Sequence, residues 1–109
     1  MTAEPAPLDV TLRALADANR RAILSVVRDE PRAVGEIAEA MAMSQQAVSH
    51  HLRVLRGAGL VSETREGTRH LFAVRSDGVD VVRQFLDDFW PSRLAALKAA
   101  AEQAARDHA

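Results

Sequence analysis

The chain has 109 residues, with 14 Lys and Arg against 15 Asp and Glu, a formal net charge of −1, 48% hydrophobic residues and no cysteine. That length supports one domain able to bury a core, to which a partner surface would add. The near-neutral balance excludes a chain coated in basic residues, the missing cysteines exclude disulfides and thiol switches, and no apolar run is long enough to span a bilayer.

Met1 to Pro7 is a short Ala/Pro-rich tail without the basic and apolar regions of a signal peptide, so the expected location is the cytoplasm. Leu8, Val10, Leu12 and Leu15 then predict a short leading helix. Asp17 or Asn19 can cap a second helix carrying Ile23, Leu24, Val26 and Val27, and Arg20 and Arg21 on it can either meet an anionic partner or be solvated. Pro31 stops that helix. From Val34 to Ala42, apolar residues at 34, 37, 38 and 41 follow the i, i+3, i+4, i+7 pattern of a short amphipathic helix.

Only Met43 separates this helix from Ser44, an N-cap for a further helix that runs to Arg56 and ends on glycine. Two helices joined by so tight a turn make a helix-turn-helix, whose second helix enters the major groove. Val48, Leu52 and Leu55 line one face of that second helix, while Gln45, Gln46, Ser49, His50 and Arg53 occupy the other. A surface helix normally carries charges of both signs in i,i+4 pairs, yet there is no acid from Ser44 to Ser62. The omission favours a polyanionic partner. Gln pairs bidentately with adenine, Arg with guanine or phosphate, and Ser and His bond to base edges or backbone oxygens.

Val61 to Arg65 and Arg69 to Val74 read as strands around Glu66-Gly67-Thr68, where glycine supplies the positive φ of a tight hairpin. Arg65, Thr68 and Arg69 flank the tip, as expected of a β-wing that touches phosphates or enters a minor groove. The predicted fold is therefore mainly α with one β-hairpin, a winged helix-turn-helix in the order α-α-α-α-β-β-α, occupying residues 8–105 between tails at 1–7 and 106–109. Positive charge is local: residues 44–74 hold Arg53, Arg56, Arg65 and Arg69 against Glu63 and Glu66, whereas six acids face four bases from Asp77 onward.

The run Ala14-Leu15-Ala16-Asp17-Ala18-Asn19-Arg20-Arg21-Ala22-Ile23-Leu24, then Val48-Ser49-His50-His51-Leu52-Arg53-Val54-Leu55 and Ala58-Gly59-Leu60-Val61, resembles the ArsR/SmtB family of bacterial winged-helix repressors. The resemblance extends over about residues 8 to 105. It implies a homodimeric repressor in which the first and last helices form the subunit interface. The end of the chain suits that role. Val82, Phe85, Leu86, Phe89, Trp90, Leu94, Leu97 and Ala101 keep one helical apolar stripe, longer and more aromatic than a small core can cover. Leu12, Phe85, Phe89, Trp90, Leu94 and Leu97 are the candidate dimerisation residues. Pro91 removes a donor and clashes with the carbonyl of Asp87, so a kink or break is expected near Trp90 to Ser92.

No metal or cofactor is expected. A thiolate site needs cysteines where the chain has Glu36-Ile37-Ala38-Glu39-Ala40-Met41, and His108 is the sole histidine after the wing. Asp87 and Asp88 are adjacent and point different ways. The resemblance is thus to a metal-independent branch of the family, to which the Phe89-Trp90 pair also points. Catalysis is not expected: Ser49, His50 and His51 lie one and two apart on a helix and do not face one another. His51 reads as a brace and His70 as a wing or core residue. The expected partners are double-stranded DNA and a second copy of the chain, with no membrane. Two other readings stay open: a protein-interaction module that uses the aromatic stripe, and a sensor whose apolar small-molecule effector lodges between Phe85, Phe89 and Trp90.

Overall fold

The computed structural model describes residues 7–89 and 91–108, except for the side chains of 91–94. Helices α1 (Pro7–Leu15) and α2 (Ala18–Val26) lead into a two-residue strand β1 (Arg32–Ala33), then α3 (Val34–Met41) and α4 (Gln45–Gly57). Strands β2 (Val61–Glu66) and β3 (Arg69–Val74) follow, then α5 (Ser76–Phe89) and α6 (Pro91–Asp107). The sequence-based order holds with two differences. β1 adds a third strand, pairing antiparallel with β3 through Arg32 to Phe72 and Ala33 to Leu71, for a sheet order β1-β3-β2. The C-terminal helical pattern is divided: α5 ends at Phe89 and α6 starts at Pro91, because proline is tolerated at the first helical position and not in a helix interior.

One cluster forms the core. Ile23 and Val27 from α2, Ile37 from α3, and Val48, Leu52 and Leu55 from α4 are buried together with Leu60, Val61 and Phe72 of the wing. Both helices of the helix-turn-helix end in the same pair of hydrogen bonds. Gly59 N–H donates to the Arg56 carbonyl and Leu60 N–H to Leu55, with Gly59 at φ 71°. Ala42 N–H donates to Glu39 and Met43 N–H to Ala38, with Ala42 at φ 53°. These are Schellman closures, which need a left-handed residue. Glycine meets that need at Gly59; at Ala42 the Cβ makes it costly, by about 1–2 kcal/mol. Ala42 therefore belongs to the turn, and α3 ends at Met41, the last position of its apolar spacing and one residue short of the Val34 to Ala42 span.

The Gly59 turn also seats α5. Gly78 N–H donates to the Gly59 carbonyl at 2.9 Å, and Arg75 N–H to that of Leu60 at 2.9 Å. Backbones come so close that a Cβ on Gly78 would lie 2.6 Å from the Ala58 carbonyl oxygen and 2.9 Å from Leu60 Cδ2. From there α5 packs along α1, where the buried Thr11 hydroxyl donates to the Pro7 carbonyl at 2.9 Å. Every described α6 side chain, from 95 to 107, is exposed.

Helix propensity alone favours Ala over Gly by about 1 kcal/mol at an interior helical position, whereas overpacking against backbone costs about 1–3 kcal/mol. The contact is with a carbonyl that cannot swing aside, so Gly78→Ala is expected to lower unfolding free energy in urea. A variant as stable as the parent, or more so, would show that α5 is not seated by this approach.

Candidate nucleic-acid interface

Helix α4 is fixed by its buried apolar face. Ser44 caps it, its Oγ accepting from the Ala47 N–H at 3.1 Å, so this hydroxyl is already used in holding the helix start. Gln45, Gln46, His50 and Arg53 stand exposed on the opposite side, and Ser49 is half-buried beside a cleft of about 150 Å³ that it lines with Arg53, Arg56, Glu63 and Phe72. Arg53 takes part in no ion pair among the described residues. Gln45 Nε2 lies 3.5 Å from where a Cβ on Gly35 would stand, which places its amide against α3.

His51 is half-buried, its Nδ1 3.5 Å from Arg20 Nη1. Arg20 and Arg21 are held back from the reading face. Arg20 donates from Nε to the Ala14 carbonyl at 2.7 Å and from Nη2 to Arg13 at 3.0 Å, while Arg21 Nη1 donates to Leu15 at 2.7 Å. These are carbonyls in the last turn of α1, where cations are favoured by the helix dipole; that of Arg13 also accepts from the Ala16 N–H at 3.3 Å. Both arginines thus close α1. Of the two possible caps for α2, Asp17 is the one used: its carboxylate accepts from the N–H groups of Asn19 and Arg20 at 2.8 and 3.2 Å.

In the wing, Gly67 and Thr68 form a two-residue loop between the paired Glu66 and Arg69. Gly67 has φ 65° and Thr68 is not in the left-handed region, the φ signature of a type II′ turn. Arg65, Thr68 and Arg69 are all exposed at this end. Arg69 Nη2 pairs with Glu36 Oε1 of α3 at 2.5 Å, and Arg32 Nη1 lies 3.8 Å from Glu36 Oε2. A second brace passes through Glu63, which accepts from Arg56 at 2.6 Å and from His70 Nδ1 at 2.6 Å. The other ring nitrogen of His70 lies 3.4 Å from Arg65 Nη2. This role of Glu63 as the link between α4 and β3 has no signal in the sequence, where it registers only as a strand residue.

The remaining candidates lie away from this face. Leu12, Phe85, Phe89 and Leu97 are large apolar side chains left 44%, 42%, 63% and 68% exposed. Trp90 and the side chain of Leu94 fall outside the described residues. An open apolar groove of about 480 Å³ runs between α2 and α5, lined by Val82 and Leu86 of the apolar stripe but by neither Phe85 nor Phe89. Among the described residues there is no group of three or more His, Asp or Glu placed to hold a metal ion, and no helix is long and apolar enough to cross a membrane.

An acid-free polar helix flanked by an arginine-tipped hairpin on this scaffold defines a winged helix-turn-helix DNA-binding regulator. Residues 17–63 match the model for bacterial regulatory proteins of the arsR family. The chain is 42% identical over 86 residues to the HTH-type transcriptional regulator Rv2034 of Mycobacterium tuberculosis, covering 79% of this chain and 80% of that one. Among solved structures it is similar to an ArsR-like transcriptional regulator from Rhodococcus sp. RHA1, with a TM-score of 0.73 at 27% identity over 89% of this chain and 92% of that one. It is also similar to the homodimeric winged helix-turn-helix domain Mb0332 from Mycobacterium bovis, with a TM-score of 0.63 at 29% identity over 94% and 92%. The chain belongs to the ArsR family of bacterial transcriptional regulators.

Two carboxylates support this scaffold in their charged form. The Asp17 carboxyl is held below its ordinary 3.8 chiefly by the Arg20 backbone N–H, with the Asn19 N–H and the Arg20 charge adding to it against desolvation. Glu36 is held below its ordinary 4.5 chiefly by the Ala33 N–H, then by the charges of Arg69 and Arg32, again against desolvation. For a depressed pKa the unfolded chain binds the proton first. The contribution is complete above the unfolded value and disappears as pH falls through the folded one. The Asp17→Asn, Glu36→Gln double variant is therefore expected to flatten the decline of urea stability as pH drops below about 4.5. A decline as steep as the parent's would place the acid sensitivity elsewhere.

Proposed function

We propose that the chain is a sequence-specific transcriptional repressor acting as a homodimer on a palindromic operator in the cytoplasm. The observation that carries this is the acid-free exposed face of α4, set rigidly beside the wing by the Glu63 brace. Gln45, Gln46, Ser49 and His50 reach base edges in the major groove. Arg53, Arg65, Thr68 and Arg69 meet the phosphates, and Ser44 presents the helix N-terminus to the backbone. Arg69 leaves Glu36 to do so; an exposed ion pair holds the side chain in place without competing strongly against a phosphate. Binding, and neither catalysis nor metal sensing, is the activity these residues support.

The two-fold needed for two half-sites comes from the exposed Leu12, Phe85, Phe89 and Leu97 meeting a second copy, with Trp90 and Leu94, whose side chains fall outside the described residues, assigned to the same interface from the sequence. The M. bovis neighbour is homodimeric, which supports a dimer though not any particular interface. Replacing Leu12 and Phe85 together by Glu removes apolar area that is outside the protomer's own core, so a folded monomer is expected in sedimentation velocity. An unchanged dimer would remove these residues from the interface.

Reading and sticking separate by mutation. Gln46→Ala is expected to weaken the specific site by about 1–3 kcal/mol while leaving binding to random duplex intact. Arg69→Ala should weaken both, and should lower the slope of log affinity against log salt by about 0.9 for each phosphate that is no longer neutralised. Footprinting on the chain's own upstream region supplies the site. Two variants that bind DNA like the parent would exclude α4 and the wing as the reader and leave a protein-interaction module as the better account.

A further inference from the structure

We propose that the groove between α2 and α5 is a binding site for an apolar monoanion, a body such as a medium-length acyl chain ending in a single carboxylate. Its wall is formed by Leu24, Leu60, Val74, Val79, Val82 and Leu86, and its volume of about 480 Å³ falls in the range of small-molecule sites. A site of that kind needs few polar groups, placed to orient the ligand. Here they are Ser25 and Arg28 from α2 and its end, and Arg83 from α5. The lining thus contains two guanidiniums and a hydroxyl, and no carboxylate.

The charge complement of such a lining is one anionic head with an apolar body behind it. Arg28 and Arg83 are available for it. Their present partners, Asp29 at 3.3 Å and Asp80 at 3.4 Å, lie outside the groove, and all four side chains are more than half exposed. Such pairs are held weakly in water. A guanidinium that turns inward gains a planar, bidentate carboxylate partner beside apolar walls. A cationic or neutral amphiphile of equal length finds no such partner. The α5 residues involved are Val79, Arg83 and two members of the apolar stripe, Val82 and Leu86, but not Phe85, which is assigned to the subunit face.

Calorimetric titration of the full chain with decanoate, below its micellar concentration, is the direct test, with decanol and decyltrimethylammonium as probes of the same length. Decanoate is expected to bind saturably at one site per protomer and more tightly than either. The Arg28→Gln, Arg83→Gln double variant, altered only at the exposed rim, should bind decanoate about tenfold more weakly and decanol as before. Val79→Trp fills the groove and should abolish both, with circular dichroism confirming the fold. No saturable decanoate binding, equal binding of the cationic probe, or decanoate affinity unchanged in the double variant would overturn the proposal. So would a Val79→Trp chain that remains folded but loses its dimer in sedimentation, since the groove would then be covered by a second copy. None of these measurements contains DNA, so their failure leaves the operator-binding reading standing.

Discussion

The burial of Val48, Leu52 and Leu55 is the constraint on which the rest of the molecule depends. Each is almost completely removed from water, and each such burial is worth about 1.5–3 kcal/mol. Because the three lie at i, i+4 and i+7, they fix the rotation of α4 about its own axis, not only its position. The side that remains outside is therefore determined to within a fraction of a turn. Gln45, Gln46, His50 and Arg53 are presented outward as a consequence of what is packed inward. The same packing fixes the wing, because the Schellman closure at Gly59 sends Leu60 and Val61 straight back into the cluster that holds α4.

Electrostatics then refines what packing has placed. Glu36 and Glu63, two acids beside the proposed reading surface, are both engaged: Glu36 by Arg69 and Arg32, Glu63 by Arg56 and His70. Exposed pairs of this kind add little to stability. Their effect is geometric, since each joins an element of the helix-turn-helix to a strand of the sheet. Glu63, the less exposed of the two at 23%, joins α4 to β3, and Glu36 joins α3 to the wing tip. The arginines are thereby held at the surface with their charge only partly neutralised, which is the condition a phosphate backbone requires.

Features written in local periodicity or in capping chemistry are legible in the sequence. The Ser44 cap, the buried triplet of α4, the α3 pattern at 34, 37, 38 and 41, and the glycine at the hairpin tip all have spacings of a few residues. Features decided by tertiary contact are not. β1 is two residues long and exists only because β3 is beside it. Arg20 and Arg21 look like cations on a DNA-facing helix, and only the position of α1's last carbonyls shows that they are used there. Ala42 carries no sign of a left-handed turn, since its conformation is imposed by the helices on either side. Gly78 likewise reads as the start of a helix, whereas its smallness is required by the Ala58 carbonyl across the chain. Proline at 91 marks the break, because its missing donor acts locally.

Helix α5 joins the proposed ligand groove to the proposed DNA-reading elements. Its first turn is tied to the root of the wing through the Gly78 to Gly59 and Arg75 to Leu60 hydrogen bonds. One side of it, at Val79, Val82 and Leu86, walls the groove, and Phe85 on another side stands exposed where a second subunit is proposed to lie. A ligand in the groove shifts a conformational equilibrium only by the difference in its affinity for the two states. Filling space against α2 and α5 of a single protomer has no consequence for DNA unless it changes the angle between them. When it does, the close backbone approach at Gly78 transmits the movement, because a contact without intervening side chains has no rotamer through which to absorb it. The coupling is reciprocal, so DNA that fixes the wing must alter the affinity of the groove by the same factor.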